Sequence, residues 1–424
     1  MRRSLLRPWS GRSLPAELRP WNVLRLAAAF PEGVRDPQLP PLLSRIDTGP
    51  IHPGNRISVY FDGKETFAAA DAAIDAAERE VLLESYIIRD DQTGRATLEV
   101  LGRAAARGVA VRVLADAWGS WSTRAAFWKD MQSSGISVRL YHPLWKRWRF
   151  RRHRDHRKIL VVDRGVAFTG GMNVADEYGS SWHTSDTAFR DTQVRLEGPA
   201  AEELALVFQE GWTRSGGRPF GATMPGPAEP APPGTPSHAG GPGARVLVVD
   251  TRAGRGQPEK VSTLAALIGA TRRRLWVTNA YFAPGMGSVE LFGDAARRGV
   301  DVRLLLPGRS DVALLKHAGH GYYADLLARG VRVFEYQPHT LHAKTIVADD
   351  YVSMIGSSNF DARSLHFNAE CNVLILDEET GRVMSEAFAR DLESAEEIDR
   401  RAWPERGMWH RLGDAAARRL TPIL

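Results

Sequence analysis

Apolar positions along this chain fall into two alternating patterns. AAARGVAVRVL, from Ala104 to Leu114, runs as a helical tail, a glycine and then apolar residues at every second place. That order predicts a helix closed by a glycine and followed by a half-buried strand. AARRGVDVRLL, from Ala295 to Leu305, repeats it. SSGISVRLY ending at Tyr141 and ARGVRVFEY ending at Tyr336 form a second matched pair. Apart from these, the unbroken apolar run Ile159 to Val162 predicts a fully buried strand end. Each half of the chain therefore reads as helix, strand, helix, strand, motif strand, hairpin and a last strand entered by an acidic residue. The fold class is α/β, with the domain present twice.

The duplication is sharpest in polar residues. HRKILVVDRGVAFTGGMN and HAKTIVADDYVSMIGSSN align without a gap. His156, Lys158, Asp163, Gly170, Gly171 and Asn173 fall on His342, Lys344, Asp349, Gly356, Ser357 and Asn359. Downstream, Asp191 matches Glu370 at the entrance to the last strand.

The domain plan follows. Residues 1–50 form a basic amphipathic N-terminal arm and 51–215 the first domain. Residues 216–244 are a linker rich in Pro, Gly and Ala, 245–400 the second domain, and 401–424 a basic amphipathic C-terminal segment. Cys371 is the single cysteine, which excludes an intrachain disulfide or a cysteine metal site and suits a reducing compartment. The sequence predicts no signal peptide and no membrane-spanning run. A net charge of +6 favours an anionic partner, lipid or nucleic acid.

That charge is concentrated. The first half carries an insertion before its motif, since Tyr141 precedes His156 by fifteen residues and Tyr336 precedes His342 by six. Within it, Trp145, Trp148 and Phe150 stand among Arg149 and other cations, a composition suited to a lipid headgroup boundary or to stacked bases. The arginines and tryptophans of the first thirty residues read the same way, against a plainer reading as a loosely packed arm.

Residues two apart on a strand share a face, so each motif offers an imidazole beside an ammonium. Two such pairs around one pocket suit a phosphate diester. Lys158 and Lys344 offset phosphoryl charge, Asn173 and Asn359 add neutral donors, and Gly171 and Ser357 let the backbone come close. One histidine can attack phosphorus while the other protonates the leaving alkoxide. Asp191 and Glu370 are the candidates to hold the second ring nitrogen of each histidine. Asp163 and Asp349 belong to the motif and are grouped with its catalytic residues, although their place at the turn favours a structural role. The remaining histidines form no recognisable ligand set, so no metal or other cofactor is expected.

These residues resemble the paired HKD motifs of the phospholipase D superfamily. The phrases GSSNFDARSLHFNAECNV, DHRKILVVD, GGMNVADEY and RDTQVRLEGPA are similar to those of bacterial cardiolipin synthases. The resemblance implies two tandem domains, each a mixed sheet flanked by helices, related by a pseudo-twofold axis with the active site between them. It implies a metal-independent phosphohistidine mechanism, with His156 as nucleophile and His342 as general acid and then base. The expected activity is phosphatidyl transfer between phosphatidylglycerol molecules, with a phospholipase D hydrolase and a nuclease as alternatives. The expected partner is an anionic membrane surface on the cytoplasmic side, reached peripherally, and nucleic acid is disfavoured.

Overall fold

A computed structural model describes residues 27–47, 49–142, 153–180, 185, 187–221, 243–252 and 258–421. The insertion holding Trp145, Trp148, Arg149 and Phe150 lies outside these residues.

The first half carries strands β1 (Ile51–Tyr60), β2 (Glu80–Ser85), β3 (Ala110–Asp116), β4 (Ser137–Tyr141), β5 (Ile159–Val162), β6 (Val166–Gly170) and β7 (Gln193–Glu197). The second carries β8 (Ala244–Asp250), β9 (Arg274–Asn279), β10 (Asp301–Pro307), β11 (Arg332–Tyr336), β12 (Lys344–Ala348), β13 (Val352–Gly356) and β14 (Cys371–Leu376), then the short β15 (Ala395–Glu397). The sheet order is β4-β3-β2-β5-β6-β7-β1 in the first half and β8-β14-β13-β12-β9-β10-β11-β15 in the second. Setting β15 aside, one order is the reverse of the other, as a twofold axis between β1 and β8 requires.

The halves join there. β1 and β8 pair antiparallel, with Ile51 opposite Leu247 and His52 opposite Val246, and the fifteen strands make one continuous sheet. Asn55 ties this seam, because its amide donates to the carbonyls of His52 and Ala244 while its Oδ1 accepts the N–H of Ala200. β6 also packs against β13 and β14. A buried apolar cluster there unites Ile57, Ile159, Val194 and Leu196 with Val246, Ile355, Cys371 and Val373.

The helices begin and end where local chemistry dictates. Asp62 caps α2 (Gly63–Asp75) and Asp91 caps α3 (Gln92–Ala106), each accepting backbone N–H groups of the first turn. Past α3, Gly108 adopts φ +90°, and past α8 (Gly285–Arg297), Gly299 adopts φ +88°. Both left-handed positions favour glycine and turn the chain into β3 and β10, as the sequence predicts.

Part of the segment assigned to the N-terminal arm is core. Helix α1 (Leu39–Asp47) supplies Leu39, Leu42, Leu43 and Ile46, which join Phe30 and Val34 in the apolar core of the second half. Apolar residues at the spacing of one helical face explain this, although the flanking arginines mask the pattern. Helix α12 (Met408–Arg419), in the expected C-terminal segment, packs on α9 (Ala313–Ala328). It leaves Met408, Trp409 and Leu412 exposed.

Candidate active site

Histidine and lysine of each motif stand at the mouth of a buried strand, β5 in one half and β12 in the other. The chain entering each strand is fixed by the opposite half. The N–H of His156 donates to Ala369 O at 2.9 Å, and that of His342 donates to Arg190 O at 2.8 Å. Ala369 and Arg190 immediately precede Glu370 and Asp191, so each acid arrives beside the histidine of the other half.

The carboxylates complete the exchange. Glu370 Oε2 is 3.0 Å from His156 Nδ1, and Asp191 Oδ2 is 2.6 Å from His342 Nδ1. Both histidines, both lysines and both acids are buried. Lys158 Nζ donates to His156 O at 2.8 Å, and Lys344 Nζ donates to His342 O. Asp191 thus faces His342 and Glu370 faces His156, a crossed pairing that was not legible in the sequence.

Three further links bind the halves around the site. Arg190 makes a two-pronged salt bridge to Asp391 at 3.1 and 2.7 Å, on α11 (Glu378–Glu393). Arg157, inside the first motif and buried, donates to Thr251 O at 2.8 Å and to Glu210 at 3.2 Å. The ring of Tyr178 lies 5.2 Å from that of His342, and its hydroxyl is 3.4 Å from His342 Nε2.

Nδ1 of His156 faces two acceptors, the Glu370 carboxylate and Ser357 O at 3.1 Å. A nitrogen between two acceptors must carry the hydrogen, which leaves the lone pair on Nε2. That Nε2 has no hydrogen-bond partner among the described residues. Burial pushes the imidazole of His156 down to about 4, with Glu370 opposing, so the ring is neutral near pH 7. Burial likewise lowers His342 to about 4, Lys344 adding to the effect and Asp191 opposing it. The same cause brings Lys158 down to about 7 and Lys344 to about 8.

Four expected site residues lie apart from the phosphoryl chemistry, two at the turns their position suggests and two against carboxylates. Asp163 and Asp349 stand beyond the far ends of β5 and β12, away from the imidazoles. Asp163 accepts the N–H groups of Glu78, Arg79 and Glu80, each at 2.8 Å. Asp349 accepts those of Arg272, Arg273 and Arg274 at 2.7–2.9 Å. With φ of 49° and 53°, both begin tight hairpin turns that aspartate tolerates. Their engagement is with backbone, which corrects their grouping with the catalytic residues.

Ser357 and Gly171 serve carboxylates rather than offering backbone to a phosphate. Ser357 Oγ donates to Glu370 Oε2 at 2.5 Å, and Ser364 Oγ donates to the other oxygen at 2.7 Å. At Gly171 a Cβ would lie 2.1 Å from Asp191 Oδ1, so the glycine makes room for that acid. Asn173 Oδ1 accepts the N–H of Ile87 at 3.1 Å and Asn359 Oδ1 that of Tyr281 at 3.3 Å. Each amide is thereby turned with its oxygen on backbone and its nitrogen, a pure donor, on the other side, where that of Asn173 meets the Tyr178 hydroxyl.

Sequence reasoning passed over the aromatic walls. The ring of Tyr86 is 4.8 Å from that of His156, and those of Tyr281 and Phe189 are each 5.7 Å from that of His342. Tyr86 and Tyr281 lie just past β2 and β9, strand ends that neither motif marks.

The family model described as "Cardiolipin synthase, PLD-like domain" matches residues 71–208 and 264–392. A cardiolipin synthase of Halalkalibacterium halodurans is 32% identical over 392 residues, covering 90% of this chain and 75% of that protein. Cardiolipin synthase A of Pseudomonas putida is 34% identical over 412 residues, covering 96% and 82%. Among solved structures, phosphatidylserine synthase of Haemophilus influenzae superposes with a TM-score of 0.64 at 13% identity, covering 87% of this chain and 95% of the other, a likeness of fold.

Proposed function

The chain belongs to the cardiolipin synthase family with phospholipase D-like domains, and from that membership we propose that it transfers a phosphatidyl group between phosphatidylglycerol molecules through His156. The observation that carries the assignment to His156 is the place of its Nδ1 between two acceptors, Glu370 Oε2 and Ser357 O, which puts the hydrogen on Nδ1 and the lone pair on Nε2.

Nε2 of His156 attacks phosphorus, and the bond to the glycerol oxygen breaks. The departing alkoxide takes a proton from His342, and glycerol leaves. The terminal hydroxyl of a second phosphatidylglycerol then gives its proton to His342 and attacks the phosphohistidine, forming cardiolipin and restoring His156. An arriving phosphate anion raises the proton affinity of His342, Lys158 and Lys344 together, by opposing the burial that lowers each. The lysines are thus charged when the phosphoryl oxygens need them. Asn173 and Asn359 add donors to the same oxygens.

Contact with the membrane is peripheral in this reading. No helix of the described residues is long and apolar enough to cross a bilayer. Trp118 and Trp121 stand exposed in the loop after β3, and Asp116 at the end of β3 accepts the N–H of Asp155, one residue before His156. Tryptophans beside the site suit a headgroup boundary, and the buried, reduced Cys371 suits the cytoplasmic side.

Purified protein on vesicles containing phosphatidylglycerol tests the reading by mass spectrometry of the products. Cardiolipin and free glycerol, both absent with His156→Ala, are expected. Phosphatidic acid without cardiolipin would replace transfer by hydrolysis.

A further inference from the structure

On the flank of the second half, α9 carries His317 and His320 one turn apart, and α12 brings Asp414 against them. His317 Nδ1 lies 2.9 Å and His320 Nδ1 3.8 Å from Asp414 Oδ1, and the three donor atoms fall within 4.8 Å of one another. Asp414 is buried, whereas the His317 side chain is 53% exposed, so the cluster opens to solvent on one side.

The surroundings prepare these atoms. Nε2 of His320 is 2.8 Å from Glu335 Oε1, which also accepts the Tyr323 hydroxyl at 3.2 Å. A hydrogen on Nε2 leaves a lone pair on Nδ1 that faces the Asp414 carboxylate. Two electron-rich atoms so placed repel unless a proton or a cation lies between them. A carboxylate behind a histidine is also the partner that ligating imidazoles have in metal sites. Trp403 holds the His320 ring edge-on at 5.3 Å, and Arg406, stacked on Trp403, takes Asp414 Oδ2 at 3.1 Å. Arg406 thereby pairs by charge with Oδ2, which accepts no hydrogen bond among the described residues, while Oδ1 faces the histidines.

We propose that His317 Nδ1, His320 Nδ1 and Asp414 Oδ1 bind one zinc-class divalent cation that clamps the C-terminal helix α12 onto α9. Two imidazole nitrogens and one carboxylate oxygen suit this class, whereas magnesium and calcium prefer all-oxygen sets. Metal–donor bonds of about 2.1 Å in a tetrahedron separate donors by about 3.4 Å, so donor atoms that lie within 4.8 Å of one another need ring shifts on the order of an ångström to admit the ion. Water fills the fourth position. The site is apart from the phosphoryl chemistry, and the clamped helix is the one that presents Trp409 outward. The spacing His317-x-x-His320 is in the sequence, but its third partner stands 97 residues beyond His317.

Full-length protein stripped with a chelator and titrated with cobalt(II), then zinc(II), provides the test. One cobalt per chain is expected, with the visible absorption of four-coordinate cobalt, displaced by zinc. Zinc should raise the melting temperature by several degrees. His317→Ala replaces a half-exposed side chain and should fold normally while losing affinity by about 10- to 100-fold. Asp414→Asn should act in the same direction, and His156→Ala should bind as the unaltered protein does. No uptake at micromolar metal, uptake unchanged by His317→Ala, or uptake abolished by His156→Ala would each overturn the proposal.

Discussion

Glu370 holds His156 across 214 residues of chain, at 3.0 Å, while Asp191 holds His342 in the reverse direction. Neither motif histidine is held by a carboxylate of its own half. Each half orients the imidazole of the other, so the site exists only when the two are joined.

Replacing Glu370 by glutamine keeps the size of the side chain and removes its charge. Without a carboxylate to fix Nδ1–H and stabilise a charged imidazole, kcat should fall by about 10²- to 10⁴-fold. KM should change little, because Glu370 sits behind the histidine. Initial rates on mixed vesicles check this, and a loss confined to KM would contradict the role.

The pH profile follows from the buried cations. Lys158 and Lys344 are lowered to about 7 and about 8, so their charge disappears as pH rises through those values. His156 is lowered to about 4, so its lone pair is lost only as pH falls through that value. kcat/KM should fall as pH rises, gradually from the loss of the His342 proton above about 4 and more steeply as the lysine charge is lost near 7–8. For kcat the alkaline limb should lie higher, because bound phosphate restores the lysine charge. Lys158→Arg, charged at every accessible pH, should move that limb upward even where it slows turnover.

Asp349 presents a test of turn against chemistry. Alanine there leaves three N–H groups without their carboxylate and places an ordinary residue at φ 53°. A loss of about 2 kcal/mol in a denaturant titration is expected. Asparagine, which keeps one acceptor oxygen and tolerates this backbone, should cost less. The surviving folded fraction of either variant should retain turnover per folded molecule within a few fold.

Gly171 and Ser357 occupy equivalent places and should respond differently. Gly171→Ala drives a Cβ into Asp191 Oδ1 and should reduce activity by at least about 10²-fold through His342. Ser357→Ala removes one hydroxyl from Glu370, whose other oxygen keeps Ser364, and should cost about 10-fold. Equal losses in the two variants would count against separate tasks.

What the sequence made legible has a physical pattern. Both histidine–lysine pairs could be read because residues two apart on a strand must share a face. Asp191 and Glu370 stood out because they match between the halves and a working histidine needs a carboxylate at its second ring nitrogen. Their crossing depends on the seam between β1 and β8, strands without a motif. Local spacing does not show which halves meet. Gly171 and Ser357 were read as phosphate neighbours because small residues suit close approach, and only packing reveals that the close neighbour is a carboxylate. Phe30 and helix α1 are hidden among arginines until the core they enter is known.

The seam that assembles the site also bears on how the protein comes apart. Breaking the β1–β8 pairing would bare two long strand edges and open a core containing Ile57 and Val373 from different halves. A half that melted alone would expose that surface on its neighbour, so neither has an independent transition of its own. The duplicated chain should lose its structure in one cooperative step, with a denaturant dependence set by the surface of both halves together.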